Sequence, residues 1–150
     1  MSSSLRALGF ATIGSLLAAL TGCTPSGNTA EQVSTLKPLA VLYGRFIPQH
    51  RGQAPANEAE FRAFVEKEGP SLLEQFSVKD VNSLFVSSRD NQPFVILYGP
   101  LTGPPGPAGQ PVFAYEKVGV GGRRMVATSL GAVAEVDEAE WKRLVPSASQ

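Results

Sequence analysis

Apolar residues recur at three- and four-residue intervals through the first half of the chain's folding region and at alternating positions through the second. Leu36, Leu39, Ala40, Tyr43, Phe46 and Ile47 share one face of a helix over about 36 to 47. Pro38 is compatible with a first turn, whereas Pro48 disfavours helical backbone at Ile47 and places the helix end there. Gly52 and Pro55 punctuate the following turn. A second helix opens at Asn57, whose side chain caps it while Glu60 reaches back, and it buries Phe61, Phe64 and Val65 before Gly69. Ser71 with Glu74 repeats that arrangement for a short helix carrying Leu72, Leu73 and Phe76.

The period then changes. Leu84 to Ser87 and Pro93 to Tyr98 are β-branched and aromatic runs flanking a polar hairpin loop, Ser88 to Gln92. Val112 to Lys117, Arg124 to Ser129 and Ala132 to Val136 predict three more strands, with Gly119, Gly121 and Gly122 at one turn and Gly131 at the next. Asp137 with Glu140 opens a last short helix that places Trp141 and Leu144 on one side to close the core. Helices followed by a meander predict an α+β domain over 36–146, with an antiparallel sheet of about five strands covered on one face. Residues 147–150 read as a disordered tail.

Ahead of this region, Arg6 is the only charge before an uncharged stretch from Ala7 to Leu20, the anatomy of an export signal. A spanning helix needs roughly 20 apolar residues, so this run is too short for a permanent anchor. It closes on Leu20-Thr21-Gly22-Cys23, which holds the only cysteine of the chain. That quartet resembles the lipobox of bacterial lipoproteins. The resemblance implies cleavage between Gly22 and Cys23, removal of 1–22 as a signal peptide, and attachment of palmitate-type acyl chains to Cys23. Each buried CH₂ contributes roughly 0.8 kcal/mol, so three such chains would hold the protein on a bilayer. Thr24 follows the cysteine in place of the aspartate that directs some lipoproteins to the inner membrane, which favours the outer one. Residues 23–35 are small and polar and predict a flexible tether.

Charge narrows the partners. Lys and Arg number 13, as do Asp and Glu, and only Arg6 falls within the first 22 residues, so the remainder carries one net negative charge. That balance argues against nucleic acid, whose binding rests on neutralising several phosphates. With Cys23 acylated, no thiol remains for a disulfide, and stability must come from packing.

The residues offer little for catalysis. His50 is the only histidine and sits in a polar helix end, which suits a solvated side chain better than a base. A histidine-cysteine metal site fails on count. Asp80-Val81-Asn82 begins like a calcium loop, but Leu84 occupies the next ligand position. Asp90 and Asn91 are good turn formers before they are cation ligands. Glu58 with Glu60 and Glu138 with Glu140 sit in first turns, where they oppose the helix dipole. Glu116, between Tyr115 and Lys117, suits a salt bridge better than a general acid. Neither a catalytic residue, a metal site nor a cofactor is expected.

Gly99 to Pro111 holds four glycines and five prolines. Gly103, Pro104, Pro105, Gly106 and Pro107 lie at its centre and predict an exposed polyproline-like loop, the best candidate contact surface for a partner. Tyr43, Arg51-Gly52-Gln53-Ala54-Pro55 and Glu60-Phe61, with Asp90-Asn91-Gln92-Pro93-Phe94, resemble segments of type II secretion pseudopilins. Ala114-Tyr115-Glu116, Gly121-Gly122-Arg123, Gly131, Val133, Glu138 and Leu144 are similar to the closing part of prepilin-like proteins. The chain departs from them in having a lipobox where a prepilin signal belongs and in lacking the tryptophan-glycine pair of the aspartate motif. The expected function is a non-catalytic envelope lipoprotein with a structural or interaction role. The alternatives are a pilin-like accessory of a secretion system and a lipid-anchored small-ligand binder or enzyme.

Overall fold

The computed structural model describes residues 34–146. The lipobox residues Gly22 and Cys23, the tether as far as Val33 and the tail at 147–150 lie outside the described residues. The architecture is α+β: helices α1 (Leu36–Gln49), α2 (Glu58–Glu68) and α3 (Pro70–Gln75) precede strands β1 (Val95–Ile96), β2 (Val112–Tyr115), β3 (Arg123–Thr128) and β4 (Val133–Asp137), and helix α4 (Glu138–Leu144) closes the chain. None of the helices among the described residues is long and apolar enough to cross a membrane.

Helix α1 is the central element, burying Leu36, Leu39, Ala40, Leu42, Tyr43 and Phe46. It runs two residues beyond the expected end, through Pro48. A proline forfeits only its own amide bond, and the His50 amide closes the last turn on the carbonyls of Phe46 and Ile47 at 3.0 and 3.1 Å. At the other end, Ser34 and Thr35 belong to the fold rather than to the tether. The Ser34 hydroxyl accepts the Leu36 amide at 3.2 Å, and the Thr35 hydroxyl donates to the Val86 carbonyl at 2.6 Å. Composition cannot distinguish a capping hydroxyl from a solvated one.

Asn57 caps α2 as the spacing predicts, accepting the Glu60 amide at 3.0 Å, while the Glu60 carboxylate takes the Ala56 amide at 2.7 Å. The second capping pair does not form. Gly69 joins α2 to α3, and Pro70 occupies the first turn of α3, where its missing N–H costs nothing and its φ is already helical. Ser71 therefore lies inside the helix.

The sheet has four strands in the order β1-β2-β3-β4, all antiparallel, not five. Leu84 to Ser87 is the missing strand. Asp80 accepts the amides of Asn82 and Ser83 at 2.8 and 3.1 Å, and these local bonds wind Asn82–Phe85 into a 3₁₀ turn that leaves a single bridge between Val86 and Pro93. Leu84 and Phe85 are consecutive and both buried, a pattern an alternating strand on a one-sided sheet would not show.

Both faces of the sheet are covered, not one. Phe113, Met125, Ala127 and Val133 pack beneath the helices with Tyr43, Phe46, Phe61 and Phe85. On the opposite face Val112, Tyr115, Val126 and Val136 pack against Trp141, Leu144 and Val145. Trp141 thus closes a second, smaller core, with its ring 5.7 Å from that of Tyr115.

Candidate functional site

One end of the sheet is organised around a buried carboxylate. Glu116 follows β2 and is fully buried. The Ser87 hydroxyl donates to its Oε1 at 2.8 Å, and the Met125 amide donates to its Oε2 at 2.9 Å. Arg89, reaching in from the turn at Ser87–Gln92, lies between two carboxylates. Its Nη1 stands 3.3 Å from Glu116 Oε2, and its Nη2 stands 2.6 Å from Glu135 Oε1. Arg123 Nε holds the other oxygen of Glu135 at 2.9 Å. Arg124 lies 4.2 Å over the Trp141 ring, pairs with Glu138 at 3.2 Å and donates to the carbonyls of Glu116 and Lys117. The Glu116 salt bridge expected from sequence is present, but its partner comes from a distant turn.

Asp90 extends the arrangement to the β2–β3 turn. Its carboxylate accepts the Gln92 amide at 3.1 Å, the Gly119 amide at 2.7 Å and the Val118 amide at 3.3 Å. Gly119 has a φ of 79°, and a Cβ there would collide with the Arg123 carbonyl, so only glycine fits. Both carboxylate oxygens of Asp90 are thus turned to backbone amides.

Partial burial works to raise the Asp90 carboxyl, but the Gly119 and Gln92 amides outweigh it and hold its pKa below the ordinary value. Burial acts the same way on Glu135, where the hydrogen bonds of Arg123 and Arg89 prevail and again lower the pKa. Because both folded values lie below the unfolded ones, the stability these groups contribute is present above about pH 4.5 and lost as pH falls through the folded values. Thermal unfolding should therefore shift to lower temperature below about pH 4.5, and Glu135→Gln should flatten that dependence. A variant as acid-sensitive as the parent would show that Glu135 plays no part in it.

The remaining candidates make contacts close by in the chain. His50 stacks on Phe46 with ring centroids 3.6 Å apart, and its Nδ1 lies 2.9 Å from the Phe46 carbonyl. Glu58 pairs with Arg62 at 2.6 Å, and Glu140 with Arg143 at 2.6 Å. Among the described residues no group of three or more His, Cys, Asp or Glu is placed to hold a metal ion.

At the opposite end of the sheet three connections and the end of α1 line an open cleft of about 720 Å³. Ile47, Ala54, Pro100, Leu101, Pro111 and Leu130 supply its apolar lining, and Gln53 and Gln110 its side-chain amides. One wall is the glycine- and proline-rich segment. It is not an extended arm: the Gly106 amide bonds the Gln110 carbonyl at 2.9 Å, Pro107–Gly109 forms a 3₁₀ turn, and Arg143 reaches the Pro105 carbonyl at 3.4 Å. A Cβ on Gly106 would come within 3.3 Å of Leu144, so the loop lies against α4. Gly103 and Pro105 remain exposed, while Pro104, Gly106 and Pro107 are half-buried.

Sequence reasoning missed the Arg89–Glu116–Glu135 cluster, because Ser88 to Gln92 reads as an ordinary polar loop. The available signal was Glu116 itself, a charge at the end of the apolar run Val112 to Tyr115. The fold is thus a three-layer α+β body with an ion-paired clasp at one end and an apolar cleft at the other. No family model, curated protein or solved structure matches the chain.

Proposed function

We propose that this chain is a lipoprotein of the bacterial cell envelope, held through acylated Cys23, with a non-catalytic domain that has a structural or interaction role. The observation that carries the reading is Leu20-Thr21-Gly22-Cys23 at the end of the uncharged run from Ala7. The described fold starts at Ser34, so a short segment separates it from the anchor. Ten residues lie between Cys23 and Ser34, and a coil of that length would span about 20 Å. The domain would stay close to the membrane surface, the outer membrane being favoured. Its candidate contact surface is the loop Gly103 to Pro107, whose fold against α4 reduces the entropy lost when a partner docks.

Cys23→Ser should leave an uncleaved precursor without lipid. The check is the intact mass of the purified protein together with labelled fatty-acid incorporation. Fatty acid retained by the serine variant, or an unmodified thiol in the native protein, would end the anchoring reading.

A second reading is favoured by the cleft, whose volume falls in the roughly 300 to 1,000 Å³ range of small-ligand pockets. A lipid-anchored binding protein would use that apolar lining with Gln53 and Gln110 to orient a small, largely apolar ligand.

A further inference from the structure

A smaller cavity adjoins the apolar cleft, and charge defines it. It holds about 310 Å³ between the end of α1 and the start of α2, where Gln49, His50, Arg51, Gln53 and Glu60 line it. Its polar groups are sorted by role. The His50 Nδ1 lies 2.9 Å from the Phe46 carbonyl, which can only accept, so Nδ1 carries the proton and Nε2 of the neutral ring is an acceptor. Stacking on Phe46 and an edge contact with Phe64 at 5.9 Å hold the ring in place. Glu60 directs Oε2 to the Ala56 amide at 2.7 Å, completing the α2 cap. Its Oε1 and the Arg51 guanidinium make no ion pair or hydrogen bond among the described residues.

Arg51 departs from what the fold requires. Its φ is 57°, in the left-handed region, and Gly52 follows at 84° with its amide closed on the Ile47 carbonyl at 2.8 Å. Glycine serves such a helix end without strain, whereas an arginine there is strained and its exposed side chain gains nothing through packing. A cation kept in that conformation beside an unpaired anionic oxygen points to a ligand bearing both charges. A carboxylate or phosphate alone would be repelled by Glu60, and an amine alone by Arg51, but a zwitterion satisfies both. The volume stands at the low end of the roughly 300 to 1,000 Å³ range of small-ligand pockets, which suits a molecule of few atoms. In an α-amino acid the two charges sit on one carbon, while a peptide carries them apart.

We propose that this cavity binds a free α-amino acid, its carboxylate on Arg51 and its ammonium on Glu60 Oε1 and His50 Nε2. The inference rests neither on the anchoring of Cys23 nor on a ligand in the apolar cleft. To test it, the full chain purified from cells in detergent is titrated calorimetrically with each of the common amino acids. The tightest binder is then compared with its amide, which lacks the carboxylate, and with its N-acetyl form, which lacks the ammonium. At least one amino acid should bind, and both derivatives should bind more weakly by roughly tenfold or more. Arg51→Gly should lose about tenfold in affinity for the amino acid and bind the acid and the amide alike, while unfolding at no lower temperature than the parent because glycine relieves the φ. Glu60→Gln keeps a side chain able to close the cap and should bind the amino acid no better than its N-acetyl form. No binding from any amino acid at about 10 mM, derivatives that bind as well as the amino acid itself, or undiminished binding by either variant would each overturn the proposal.

Discussion

Glu116→Ala should destabilise the domain by about 3 to 5 kcal/mol, the cost of breaking a buried pair on one side. The substitution leaves the Arg89 guanidinium, only 11% exposed, facing a void where Oε2 stood at 3.3 Å. It also strips the Ser87 hydroxyl and the Met125 amide of their acceptors. Glu135 still neutralises part of Arg89 at 2.6 Å, which keeps the expected loss from being larger. Replacing both members by apolar residues of similar size, Arg89→Met with Glu116→Leu, should cost less than Glu116→Ala alone, because no charge is then left buried. Urea unfolding of Arg89→Met, of Glu116→Leu and of the double measures the coupling directly. A loss below about 1 kcal/mol for Glu116→Ala would mean that water reaches the cluster and that the ion pairs are incidental.

Phe61→Ala should cost a comparable 3 to 5 kcal/mol, here through a cavity of about the size of the ring. Phe61 is fully buried where α2 meets α1, with its ring 5.4 Å from Tyr43, 6.2 Å from Phe46 and 6.1 Å from Phe85. These edge-on contacts join three separate segments, so no single neighbour can move to fill the space. Phe61→Leu retains most of the volume and should cost less than about 1.5 kcal/mol. Urea unfolding at constant m-value separates the two variants. Equal losses would point to the aromatic geometry rather than the cavity as the source of the effect.

The parts of this protein that sequence determined are those governed by neighbours three or four residues away. The α1 face from Leu36 to Phe46, the Asn57 and Asp137 caps, the Gly119 to Gly122 turn and the α+β order all follow from local spacing and backbone chemistry. The proposed anchoring at Cys23 rests likewise on a short linear signal, Leu20-Thr21-Gly22-Cys23. Two misreadings were local as well, since Asp80 and Pro70 offered backbone solutions that competed with the strand at Leu84 and the cap at Ser71. Only the tertiary structure decided that both faces of the sheet are covered, because alternation shows that a strand has two faces without showing what lies on each. It alone brought Arg89 to Glu116 and Glu135 and folded the proline loop onto Leu144. Such contacts join residues far apart in the chain, and their energy depends on which surfaces are withdrawn from water together. Spacing along one segment carries no record of that.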